Sequence, residues 1–242
     1  MVDRSRQAKG KGTRTAGPAP TDTNGSSSQK TETAERVTSF DIFELCICRA
    51  RNLIKLHQAA HGRQGKPEPY ASDAHRAAIV LAVSALDAFV RDFVINRTRD
   101  LLARKEQTLP TALSVQIRKF IKDEDLLEAA RKDDLLERVE KAFRADFERR
   151  SFQGTRNIEE QIKVVGYNDI FHEVALAARV NEDELRTKLD GFTRRRHAIA
   201  HHGDYDLTQR PPKESVVTKK DAQECIRLAC LVAKHIHRIG KR

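Results

Sequence analysis

Residues Thr193 to Asp204 read TRRRHAIAHHGD, a run that gathers Arg194, Arg195 and Arg196 with His197, His201 and His202 around a short apolar Ala198-Ile199-Ala200. An imidazole, with an ordinary pKa of ~6.5, takes up or returns a proton near neutrality. A guanidinium stays charged and offers a planar fork that matches phosphate oxygens. Arg196 and His201 stand five residues apart, about 140° around a helix at ~100° per residue. Their side chains diverge at the root, yet both are long enough to reach one phosphate. His197 and His201, four apart, share a face. Such a set suits RNA cleavage by transesterification. The substrate supplies its own nucleophile in the 2′-hydroxyl, a histidine moves the proton, and an arginine stabilises the phosphorane. The reaction needs no metal and no cofactor.

Arg196-His197-Ala198-Ile199-Ala200-His201 resembles the motif of the HEPN superfamily: an arginine, a polar residue, a few more positions, then a histidine. Two further stretches carry the likeness. SALDAFVRDF, Ser84 to Phe93, resembles the early core helix of the RiboL-PSP type of HEPN domain. NIEEQIKVVGYNDIF, Asn157 to Phe171, is similar to the stretch such domains place before the motif helix. Together the resemblance spans roughly residues 72–203.

This resemblance implies an all-α bundle that dimerises with its two motif helices face to face, forming a composite, metal-independent endoribonuclease site. It assigns Arg196 and His201 as catalytic and His197 as the polar residue beside the arginine. Related motifs run His-Gly, whereas here His202 intervenes before Gly203, so Arg196 with His202 also meets a looser spacing. His201 is preferred and His202 held in reserve, with Arg195 supporting. Asp87, on the early core helix, stands where an acid orients the arginine in some related domains; a structural pair with Arg91, four residues on, is the alternative. RNA as substrate, a homodimer, a toxin–antitoxin, antiviral or RNA-processing setting, and an antitoxin or regulatory protein as partner are further implications. A HEPN module that binds RNA or protein without turnover is the second expectation.

Two rival readings of the motif stand beside these. Cations at a helix C-terminus complement its dipole for ~0.3 to 1 kcal/mol without any catalytic role. His197 and His201, with Asp204, also have the types for a zinc site, but the helix lacks the Glu that follows the first His in His-Glu-x-x-His proteins, and no Cys lies nearby.

The elements that must hold the motif are helical. Phe43, Ile47, Ala50 and Ile54 set a helical period from Ser39, which is placed to cap it and which Gly62 to Pro69 should end. Ser72 to Glu106 predicts the longest helix, with Ile79, Ala82, Val83, Leu86, Val90, Phe93 and Val94 on one face. A shorter helix follows over Thr111 to Ile121. Glu124 to Arg150 reads as one charged helix with Leu127, Leu135, Leu136, Val139 and Phe143 inward. Ile158 to Val165 and Asn168 to Arg179 flank Gly166. Asn181 with Glu184 has the form of a capping box, so the motif helix should run from Glu182 towards His201 and stop at Gly203. Tyr205 to Val217, with Pro211-Pro212, predicts a surface loop. Thr218 then opens a last helix with Cys225, Leu228, Ala229, Val232, Ile236 and Ile239 inward, and His235, His237, Arg238, Lys241 and Arg242 as a basic, solvated end. The expectation is a bundle of roughly seven helices.

Composition agrees. The 242 residues carry 45 Lys or Arg against 35 Asp or Glu, a formal charge of +10 that suits a polyanionic partner. Aromatic residues make up only 5% of the chain and Trp is absent, which favours helix over sheet. No apolar run approaches the ~18 to 20 residues of a membrane span, and the polar, basic start is unlike a secretory signal, so the cytoplasm is the expected compartment. Cys46, Cys48, Cys225 and Cys230 lack Cys-x-x-Cys spacing and read as buried, reduced thiols. Residues 1–36 are rich in Gly, Ser, Thr, Pro and scattered charge and predict a disordered basic tail ahead of one helical domain over 37–242.

Overall fold

The computed structural model describes residues 37–61, 71–104, 108–149 and 153–241; the expected tail, residues 1–36, lies outside them. The described residues carry nine helices: α1 (Ser39–His61), α2 (Ala71–Ala103), α3 (Thr111–Phe120), α4 (Asp123–Lys132), α5 (Leu135–Arg149), α6 (Thr155–Val164), α7 (Ile170–Ala178), α8 (Glu182–His202) and α9 (Lys219–Gly240). One two-residue antiparallel pair, β1 (Tyr205–Asp206) with β2 (Lys213–Glu214), joins α8 to α9.

Helix α2 is the axis, packed along α1, α9, α8 and α5. Every residue its sequence period turns inward is buried, from Ile79 through Ala82, Val83, Leu86 and Val90 to Val94. Phe89 sits among Phe40, Phe43 and Phe93, with ring centroids 5.6 to 6.2 Å apart. Edge and offset contacts of this kind add ~0.5 to 1.5 kcal/mol per pair beyond area burial. The α9 stripe of Cys225, Leu228, Ala229, Val232, Ile236 and Ile239 closes the same core.

The caps explain where elements begin. Thr38, rather than Ser39, caps α1: its backbone N–H and hydroxyl donate to Asp41 Oδ2, and its Oγ1 accepts from the Asp41 N–H. Thr218 and Asp221 make the reciprocal box at α9, and the Asn181 side chain accepts from the Glu184 N–H at α8.

Three expectations need correction. The charged stretch after Glu124 is two helices, because Asp133 takes a left-handed conformation (φ 56°) and ends α4; an aspartate tolerates that turn better than most residues. Leu127 then points out, 70% exposed, and Leu136 is exposed at 36%. Of the four cysteines only Cys225 is buried; Cys46 and Cys230 are half-buried and Cys48 is exposed. The loop after Gly203 holds the short β1–β2 pair where sequence gave no period-two signal.

Candidate active site

Helix α8 carries the motif on its last turns, and its course is fixed from the side. Arg186 forks both terminal nitrogens onto Glu159 of α6 at 3.0 and 2.7 Å, and Asp190 accepts from the Thr155 N–H and hydroxyl at 2.7 and 2.9 Å. The bidentate pair raises the Arg186 pKa above its ordinary value, Glu159 contributing most. Leu185 and Leu189 are the buried apolar contacts of this helix.

Gly203 ends α8 in the left-handed region (φ 60°), its N–H donating to the Ala198 carbonyl. Asp204 follows at φ 67° and turns its carboxylate inward, where it is 1% exposed. Arg76 of α2 donates Nε to Asp204 Oδ2 at 3.0 Å. Arg195 brings its Nε to 2.7 Å from Oδ1, an approach too oblique for a hydrogen bond and so an ionic contact. Arg76 also reaches the Ser215 carbonyl and Glu214, each at 2.8 Å, and Asp73 at 3.0 Å. Burial opposes the charge on Arg76, but the Asp204 bond together with Glu214 and Asp73 prevails and raises its pKa. Arg195 donates to the Val216 carbonyl at 2.8 Å. One buried carboxylate thus joins α2, the end of α8 and the segment after β2.

The motif side chains divide accordingly. Arg195 is engaged inward. Arg196 is half-buried, and its Nε is shielded from solvent with no hydrogen-bond partner among the described residues. His197, His201 and His202 are all exposed. The rings of His197 and His201 lie 4.3 Å apart between centroids, and His202 stands 6.3 and 6.4 Å from them. All three histidines of the sequence motif therefore share one exposed patch, His202 included. A proton-transfer pair drawn from these rings, on a helix turn that also carries Arg196, can serve phosphoryl chemistry.

Asp87 is 8% exposed and pairs with Arg91 at 2.7 Å, the structural alternative weighed from sequence. Asp204, weighed from sequence only as a zinc ligand, faces two arginines instead, and no group of three metal-ligating side chains occurs among the described residues. Sequence reasoning missed Arg76 altogether: it lies 128 positions from its partner, and an isolated arginine near a helix start carries no signal of its own. At the C-terminal end, His235 meets Glu173 at 3.2 Å and His237 stacks on Phe40 at 4.1 Å, so both take part in packing. No described helix is long and apolar enough to cross a membrane.

A family model described as RiboL-PSP-HEPN matches residues 47–239, which takes in every described helix in whole or in part. No curated protein and no solved structure matches the chain.

Proposed function

The chain belongs to the RiboL-PSP-HEPN family, a family consistent with RNase or RNA-binding activity, and from that premise we propose that it is a metal-independent endoribonuclease acting as a homodimer. The observation that carries this reading is the exposed cluster of His197, His201 and His202 on the last turns of α8, which Arg196 adjoins in sequence. A helix-end role alone does not require three imidazole rings to gather in one exposed patch.

In the proposed reaction His201 accepts the proton of the 2′-hydroxyl as that oxygen attacks the adjacent phosphorus. Arg196 neutralises the charge gathering on the non-bridging oxygens. The P–O5′ bond breaks, and a second imidazole returns a proton to the leaving oxygen, giving a 2′,3′-cyclic phosphate and a 5′-hydroxyl. His197 orients the set, and the His201 of a second copy supplies the returning proton. Two α8 helices facing each other place both sets around one scissile linkage.

The test is cleavage of RNA by the full chain in EDTA, with product ends mapped. Arg196→Ala and His201→Ala should each lower cleavage by at least ~10²-fold while helicity and oligomeric state persist. Cleavage stopped by EDTA, or undiminished in the double variant, overturns the mechanism. RNA retention with steep salt dependence and no product would assign the chain to the binding side of its family.

A further inference from the structure

Away from the motif, helices α1 and α9 run antiparallel: Phe40 stacks on His237 at one end, and Arg51 reaches Cys230 Sγ at 3.5 Å further along. Between them lies a groove of about 590 Å³, lined among the described residues by these two helices. The α9 side presents Gln223, Ile226, Arg227, Cys230, Leu231 and Lys234, and the α1 side Arg51, Ile54, Lys55 and Gln58. Both series follow i, i+3, i+4, i+7 spacing, the stripe a helix offers to a neighbouring helix. At ~1.5 Å per residue the α9 stripe is about 16 Å long, or three turns.

The groove has an apolar floor of Ile54, Ile226 and Leu231 and cationic flanks on both sides, with no carboxylate in its lining among the described residues. Arg227 is already paired with Glu224 at 2.7 Å, which leaves Arg51, Lys55 and Lys234 to meet anionic groups. We propose that this groove docks an acidic amphipathic helix of a partner protein, its leucine-type residues on the floor and its carboxylates against the two flanks. Helix-in-groove recognition uses anchors at this spacing, and flank charges set partner choice.

Other occupants fit less well. A small ligand is held by burying ~70 to 90% of its surface, whereas two helices leave this groove open along its length. Single-stranded RNA is held by stacking on aromatic rings, and the lining has none. The chain's own first 36 residues carry seven Lys or Arg against four Asp or Glu and contain no Leu, Ile or Phe, so they match neither the flanks nor the floor.

The probe is a labelled synthetic helix with Leu at i, i+3, i+4 and i+7 and Glu at the flanking positions, titrated against the full chain by fluorescence anisotropy. Saturable, salt-sensitive binding is expected. Lys55→Glu with Lys234→Glu should weaken it about tenfold, from the usual size of exposed ion pairs, and should let a Lys-flanked version of the peptide bind instead. Leu231→Glu should abolish binding with helicity unchanged, while Arg196→Ala should leave it intact. The proposal is overturned if the acidic helix does not bind, if the charge reversal has no effect, or if a Glu-rich peptide without leucines binds equally well. An RNA oligomer that binds and loses affinity through the same reversals would overturn it in favour of a nucleic-acid track.

Discussion

Asp204 and Arg76, 128 positions apart in sequence, meet in the interior with Arg76 Nε donating to Asp204 Oδ2 at 3.0 Å. Removing one partner of such a pair leaves the other charge buried without compensation, at a cost of about 3 to 5 kcal/mol. Asp204→Ala should lower the unfolding free energy by that order, and more than Asp204→Asn, since asparagine tolerates the left-handed backbone at φ 67° and keeps an acceptor. Urea unfolding of the two variants checks this. Equal losses in both would mean that the missing carboxylate charge dominates and that neither the left-handed backbone nor the remaining acceptor contributes.

His201 and His202 are both exposed, with centroids 6.4 Å apart, so geometry admits either as general base. The proposed mechanism gives that task to His201, whose ring lies against His197 at 4.3 Å. Loss of a general acid–base group reduces rate ~10²- to 10⁴-fold. His201→Ala should fall in that range and His202→Ala well short of it, measured as kcat on a defined RNA oligomer. The reverse order would transfer the role to His202.

Local periodicity made the bundle legible. The inward faces of α2 and α9 are those their spacing predicts, Asn181 and Gly203 mark the two ends of α8, and Thr218 marks the start of α9. The α4–α5 break was hidden because Asp133 and Asp134 blend into a stretch of alternating charge, and only a left-handed φ reveals the turn. For the candidate site, the motif was readable because all its residues lie on one helix. Its support was not: the Arg76, Asp204 and Arg195 contacts are tertiary, and no spacing rule links α2 to the residue after Gly203.

Gly240 of α9 packs directly against Phe93 of α2. A Cβ there would stand 2.5 Å from Phe93 Cε2 and 3.1 Å from Cζ, and Phe93 is itself only 8% exposed. Gly240→Ala should destabilise by about 1 to 3 kcal/mol through overpacking, although alanine is the better helix former by ~1 kcal/mol. Phe93→Leu in the same chain should recover part of that loss. A double-mutant cycle in which the two effects simply add would refute the contact.

The cysteines should separate by accessibility. Burial pushes the Cys225 thiol up to about 12, where almost no thiolate exists at neutral pH, and thiolate is the reactive form. Cys48 is exposed. Under native conditions a thiol reagent should label Cys48 first and spare Cys225 until the chain unfolds, as peptide mapping after timed quenching would show. Early labelling of Cys225 would contradict the packing of α9.

His237 gives the fold a dependence on mild acid. Its ring stacks on Phe40 at 4.1 Å with planes 11° apart. Burial first and Lys241 second hold its pKa below the ordinary 6.5, against the opposing pull of Asp41 and Glu44. With the folded value depressed, the unfolded chain takes up the proton first as pH falls. The contribution of this residue to stability is therefore full above about pH 6.5 and is lost on descending through the folded value. Asp41, held below the usual carboxylate range by its bonds to Thr38, stays ionised across this window. His237→Phe keeps the stack and removes the titration. Between pH 7.5 and 5 the wild-type chain should lose stability relative to this variant, measured by urea unfolding at each pH; parallel curves would show that the folded ring titrates as it does in the unfolded chain.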